Sequence, residues 1–151
     1  MYSWLVFVHL VGLVVFAIAH GASAFVAFRV RGEREPALIA ALLGLSQIAV
    51  GGLYVGLVLL GIGGLGAAWQ GGLLTAPWVV WSYVALAIVL VVMWAVASPY
   101  YGNLRKLAAD PAAGSDGRLA QALDSRRPEA LLVVGGAGLL VLVWLMVLKP
   151  G

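Results

Sequence analysis

His9 and His20 are the only histidines in the 151-residue chain, and both lie in one uncharged apolar stretch, SWLVFVHLVGLVVFAIAHGASAFVAF, from Ser3 to Phe28. At about 3.6 residues per turn, their separation falls within roughly 20° of three whole turns. A helix therefore carries both imidazoles on one stripe, about 16 Å apart along its axis. Neutral imidazole is an axial ligand of haem iron, and a methionine thioether can take the opposite position. Met93 and Met146 supply thioethers in later apolar stretches. With each stretch centred in a bilayer, Met93 falls near the depth of His20 and Met146 near that of His9. The pairs His20/Met93 and His9/Met146 would then form two haem b sites at different depths, a route for electrons across a membrane. Gly12 and the Gly21-Ala22 pair would leave room beside the histidines for a flat macrocycle.

A structural role for the same residues is the main rival. His9 could bond Tyr83 or Ser82, and His20 could bond Gln47 or Ser46, each such interhelical bond contributing about 0.6 kcal/mol. The chain would then be an accessory subunit of a membrane complex with no cofactor. A third reading is a carrier for a small solute or metal ion, along a polar path of Gln47, Ser46, Tyr54 and Ser82. Two histidines on one helix cannot both ligate one iron within a subunit, so bis-histidine ligation would require a homodimer. No residue is marked out as catalytic.

The element that must position these groups is a membrane helix. Hydrophobic residues make up 64% of the chain and charged residues only 10%, with mean hydropathy +1.07. Soluble domains carry about 25% charged residues, so this apolar surface needs lipid as its solvent. Four spans of membrane-crossing length are predicted, over about 3–28, 37–62, 77–97 and 129–148. The fold expected is all-α: a single domain over 1–151, a polytopic four-helix up-down bundle. A Gly-rich connection is expected over 63–75, and Ser98-Pro99 is expected to end the third span. The stretch 99–128 reads as a polar loop in which 118–124 could form a short surface helix. Gly52 and Gly56 have the spacing that lets membrane helices approach closely.

Charge sets the expected orientation. Arg29, Arg31 and Arg34 follow the first span; Arg105, Lys106, Arg118, Arg126 and Arg127 lie between the third and fourth. The positive-inside rule puts these loops in the cytoplasm and both termini outside, in a bacterial inner membrane. Trp4, Trp69, Trp78, Trp81 and Trp144 then form one aromatic belt at the outer interface. The net charge of +3 fits contact with acidic phospholipid of the bilayer rather than nucleic acid. No basic region precedes the first span and its apolar run is too long for a signal peptide, so that span is expected to be retained.

Several chemistries are excluded. Cysteine is absent, which removes disulfides, thiolate metal sites and a cysteine nucleophile. No carboxylate lies inside a span beyond Glu129 at the very edge of the fourth, so a proton relay through Asp or Glu has no basis. The run Gly61-x-Gly63-Gly64-x-Gly66 does not match the dinucleotide fingerprint. No internal repeat supports an inverted-repeat transporter.

Three strings carry a resemblance: Val8-His-Leu, His20-Gly-Ala-Ser-Ala-Phe with Phe28-Arg-Val-Arg-Gly-Glu-Arg-Glu, and Pro99-Tyr-Tyr-Gly-Asn-Leu-Arg. The chain resembles a family of small bacterial integral membrane proteins of unknown function. That family is distantly similar to the copper-resistance D-type membrane domain and to the four-helix, haem-linked protoporphyrinogen oxidases. The oxidases carry a histidine in their first span, and by that resemblance His9 would be the carried-over ligand. Spans two to four hold neither a histidine nor a basic residue to serve as a second ligand of the oxidase type. The resemblance implies a haem-binding protein of electron transfer or haem handling, and no particular reaction.

Overall fold

The computed structural model describes residues 1–115 and 117–150. Six helices follow in order: α1 (Tyr2–Arg31), α2 (Pro36–Gln70), α3 (Pro77–Ala109), α4 (Pro111–Ser115), α5 (Arg118–Leu123) and α6 (Arg127–Leu148). No strand occurs among the described residues. The helices α1, α2, α3 and the segment ending in α6 are each long and apolar enough to cross a membrane. Proline opens α2, α3 and α6 in the first turn, where its missing N–H is no loss.

Two helices run further than the sequence suggests. α2 continues past Gly63 to Gln70, because Gly63, Gly64 and Gly66 face α1 rather than forming a flexible link. A Cβ at Gly63 would overlap the backbone of His9, and one at Gly66 would lie 2.8 Å from Leu5. The helix stops only at Gly71-Gly72, where Gly72 takes φ +65°, a conformation open to glycine at little cost. α3 passes through Ser98-Pro99 to Ala109. Proline removes one backbone hydrogen bond there, but Tyr100 and Leu104 beyond it are almost wholly buried. Their burial favours continuing the helix over ending it.

α1 and α2 form one antiparallel pair at close range. Gly12 lies against the backbone of Leu60, and a Cβ at Gly56 would stand 2.6 Å from the backbone nitrogen of Phe16. Gly52 faces Ala19. The Gly52/Gly56 spacing is therefore spent inside the bundle, and Gly12 serves helix contact rather than space for a ligand. Gly21 has nothing near it and is exposed, so it too lies away from the space the sequence suggested. The second pair is α3 with α6, where Val89 packs into the notch at Gly138.

The pairs lean together at the end that carries the arginines. Val30, Ile39, Leu43, Tyr100, Leu104 and Ala113 form a buried cluster there with Leu119 and Leu123 of α5. The short helix expected over 118–124 thus forms, but its two leucines plug the bundle instead of facing lipid. Arg31 donates to Glu129 at 2.8 Å, tying the first loop to the start of α6. In that loop the backbone N–H groups of Arg34 and Glu35 donate to the Glu33 carboxylate at 2.9 and 3.2 Å. These bonds, with Arg29 and Arg34 nearby, hold the Glu33 carboxyl below the ordinary glutamate value. At the opposite end lie both termini and five of the six tryptophans, with Lys149 Nζ 5.4 Å from the Trp78 ring centre. Trp4, Trp69 and Trp81 are more than half exposed, as an aromatic belt facing lipid headgroups should be.

Candidate functional site

Away from the basic end the two helix pairs stand apart and leave a cavity of about 920 Å³, near the upper end of the roughly 300–1,000 Å³ of ligand pockets. Its wall is mainly aliphatic and aromatic, with Leu13, Phe16, Leu57, Leu86, Leu139 and Trp94 among its members. All nine residues singled out by the sequence line it: His9, His20, Ser46, Gln47, Tyr54, Ser82, Tyr83, Met93 and Met146. The stripe arithmetic that put both histidines on one face is thus matched by a single space in front of them.

The polar partners suggested for the histidines are not the ones they meet. Ser82 donates to the Trp78 carbonyl at 2.7 Å, within its own helix. Ser46 lies 3.5 Å from Ser23, and Gln47, Tyr54 and Tyr83 are exposed. His9 instead donates from Nδ1 to the Leu60 carbonyl at 2.8 Å. A carbonyl oxygen only accepts, so the proton of that bond belongs to Nδ1. The remaining nitrogen, Nε2, lies 3.4 Å from Met146 Sδ. In the neutral tautomer two electron-pair donors then face each other with no proton between them. His9 is seated by Gly64, where a Cβ would come within 2.8 Å of Nδ1.

His20 lies one turn beyond Phe16, and their rings stack at 6.3 Å with planes 8° apart. Its edge fits against α6 at Gly135, where a Cβ would stand 2.5 Å from Nε2. Among the described residues, that Nε2 is a buried polar atom with no hydrogen-bond partner. A group of this kind is costly in an apolar interior. Met93 lines the same cavity, and no hydrogen bond joins it to His20 Nε2. Of the two histidine–methionine pairs read from depth, His9 and Met146 meet at hydrogen-bonding range.

Five contributors escaped the sequence. Leu60 acts through its backbone, which side-chain reading does not see. Gly64 and Gly135 seat the two imidazoles, and their only trace was glycine in otherwise bulky spans. Arg105 and Tyr101 line the basic end of the cavity because α3 continues past Pro99. Among the described residues no three His, Asp or Glu side chains gather as a cluster able to hold a bare metal ion.

Four apolar helices around a mid-bundle cavity define a polytopic integral membrane protein in contact with a lipid bilayer. The chain matches, over residues 3–150, the family described as predicted integral membrane protein (DUF2269), and it belongs to that family. No curated protein and no solved structure matches it.

Proposed function

We propose that the cavity binds haem b, with His9 Nε2 and Met146 as the residues that would hold its iron, the 3.4 Å between them widening to admit it. The observation that carries this reading is the His9 geometry. Its Nδ1–H is committed to the Leu60 carbonyl, which fixes the ring and leaves Nε2 to meet a thioether sulfur. A backbone carbonyl in this position is the usual outer partner of a metal-bound histidine. The donor set also favours a porphyrin over a free ion. A bare divalent cation needs three or four protein ligands, whereas haem brings four nitrogens and asks for one or two. The cavity volume suits a molecule of that size.

When bound, the haem would supply one-electron chemistry. The protein's own part is to hold His9, exclude water through the apolar wall and set the ligand's depth. The class of activity is electron transfer or haem handling. On the charge asymmetry of the loops, the basic end faces the cytoplasm of a bacterial inner membrane. The accessory-subunit reading draws less support, since Gly12, Gly56 and Gly63 already have partners within the chain.

The test is an absorption spectrum of the detergent-purified protein, oxidised and dithionite-reduced, beside His9→Ala, His20→Ala and Met146→Leu. A Soret band that sharpens on reduction should appear in wild type and in His20→Ala, and be lost in His9→Ala. Met146→Leu should keep the pigment and lower its reduction potential, since methionine ligation raises it. A wild type that stays colourless after expression with added haem ends the proposal.

A further inference from the structure

We propose that the seam between α2 and α3 at the basic end is a binding site for one anionic phospholipid, with Arg105 holding its phosphate. This inference stands independently of the haem reading.

Arg105 is the one charged side chain among the described residues that lines the large cavity. It also lines a second, smaller hollow of about 140 Å³, together with Ala40, Leu43, Gly44, Gln47 and Ala108. Gln47 and Arg105 border both hollows, so the small one adjoins the large one at this end. Its other walls are small or aliphatic side chains, with no carboxylate among them.

Among the described residues no carboxylate answers the charge of Arg105. Arg29, Arg31 and Arg118 each have a carboxylate within 4 Å, at Glu33, Glu129 and Asp110, and Arg34 donates to backbone carbonyls. Among the described residues Arg105 has no such partner. It is half-buried between helices, where an unanswered guanidinium is disfavoured.

Its position fits a headgroup. Arg105 lies about 42 Å along α3 from Pro77, while the hydrocarbon core is roughly 30 Å thick and the whole bilayer about 40–45 Å. With the tryptophans at one interface, Arg105 reaches the phosphate layer of the other. Phosphate is a partner that the planar guanidinium fork binds through paired hydrogen bonds. Gln47 adds an amide donor at the same rim, and the apolar wall of the seam suits an acyl chain. A phospholipid satisfies all three demands at once, whereas a soluble anion would leave the apolar wall empty.

The experiment is native mass spectrometry of the delipidated full-length protein, titrated with phosphatidylglycerol and, in parallel, phosphatidylcholine. Wild type should retain one phosphatidylglycerol about five-fold better than phosphatidylcholine, the increment expected for one basic group near an anionic surface. Arg105→Gln should abolish that preference and Arg105→Lys should keep most of it, which separates charge from folding. The double variant Arg126→Gln/Arg127→Gln should behave as wild type. An unchanged preference in Arg105→Gln, or an equal loss in the double variant, overturns the site. If Arg105→Gln lowers pigment content while lipid preference persists, Arg105 serves the large cavity's ligand and the lipid proposal fails while the haem reading stands.

Discussion

The seam between α1 and α2 and the space between the two helix pairs are built on opposite principles. Along the seam, glycines let backbones touch: Gly12 on Leu60, Gly56 on Phe16, Gly63 on His9. Between the pairs, large side chains such as Phe16, Leu86 and Trp94 surround a hollow instead of closing it. In lipid, apolar burial gives helices little reason to associate, so contact must come from close packing. The chain has concentrated that contact in one seam and one basic-end cluster. What remains open is then free to be shaped by a ligand.

The sharpest way to break this contrast is to put a side chain into the seam. Gly63→Val should separate α1 from α2 and displace His9, at a cost above the roughly 1–3 kcal/mol of ordinary overpacking. Gly44→Ala, where nothing lies within 4 Å, should not lower stability and should raise it by up to about 1 kcal/mol. Thermal unfolding of both variants in one detergent decides the matter, and equal midpoints would refute the seam.

A smaller effect compares the packed end with the hollow. Leu104 is fully buried in the basic-end cluster, so Leu104→Ala should cost about 2–5 kcal/mol. Leu139 already borders open space, and its truncation enlarges an existing cavity without creating a new one. Leu139→Ala should therefore cost clearly less than Leu104→Ala in the same unfolding assay. The reverse order would mean that the middle of the bundle is as well packed as its end.

The smallest effect tests the loop that joins the seam's two helices. Glu33 has its carboxyl held below the ordinary value by two backbone N–H groups. A depressed carboxyl contributes stability above its ordinary value of 4.5 and loses it as pH falls through the folded one. Unfolding midpoints should thus fall slightly more below about pH 4.5 in wild type than in Glu33→Gln. Parallel acid profiles would show that the loop contributes nothing.

Much of this architecture was legible in the residues. Uncharged runs of membrane length gave four spans, and the separation of His9 from His20 placed both on one face. Depth arithmetic brought Met146 near His9 because straight antiparallel helices convert residue number into depth at a fixed rise. The same arithmetic failed to find the partners of the imidazoles. It searched for polar side chains, and His9 uses a main-chain oxygen at Leu60. Hydropathy also misplaced helix ends. The run from Gly63 to Gly66 reads as a connection until α1 lies against it, and Pro99 reads as a stop until Tyr100 and Leu104 are buried beyond it. Lipid exposure and helix contact leave the same apolar imprint, so Leu119 and Leu123 looked membrane-facing when they in fact close the bundle.

The meeting of His9 with Met146 joins residues 137 positions apart, and Arg31 with Glu129 joins residues 98 apart. Each pairs α1 with α6. During synthesis α1 therefore enters the membrane long before its partner exists, and the fourth wall arrives last. A nascent chain halted before α6 would hold a firm α1–α2 hairpin, an unaccompanied α3 and half a pocket. Loading of any guest that needs both walls must follow the synthesis and insertion of α6.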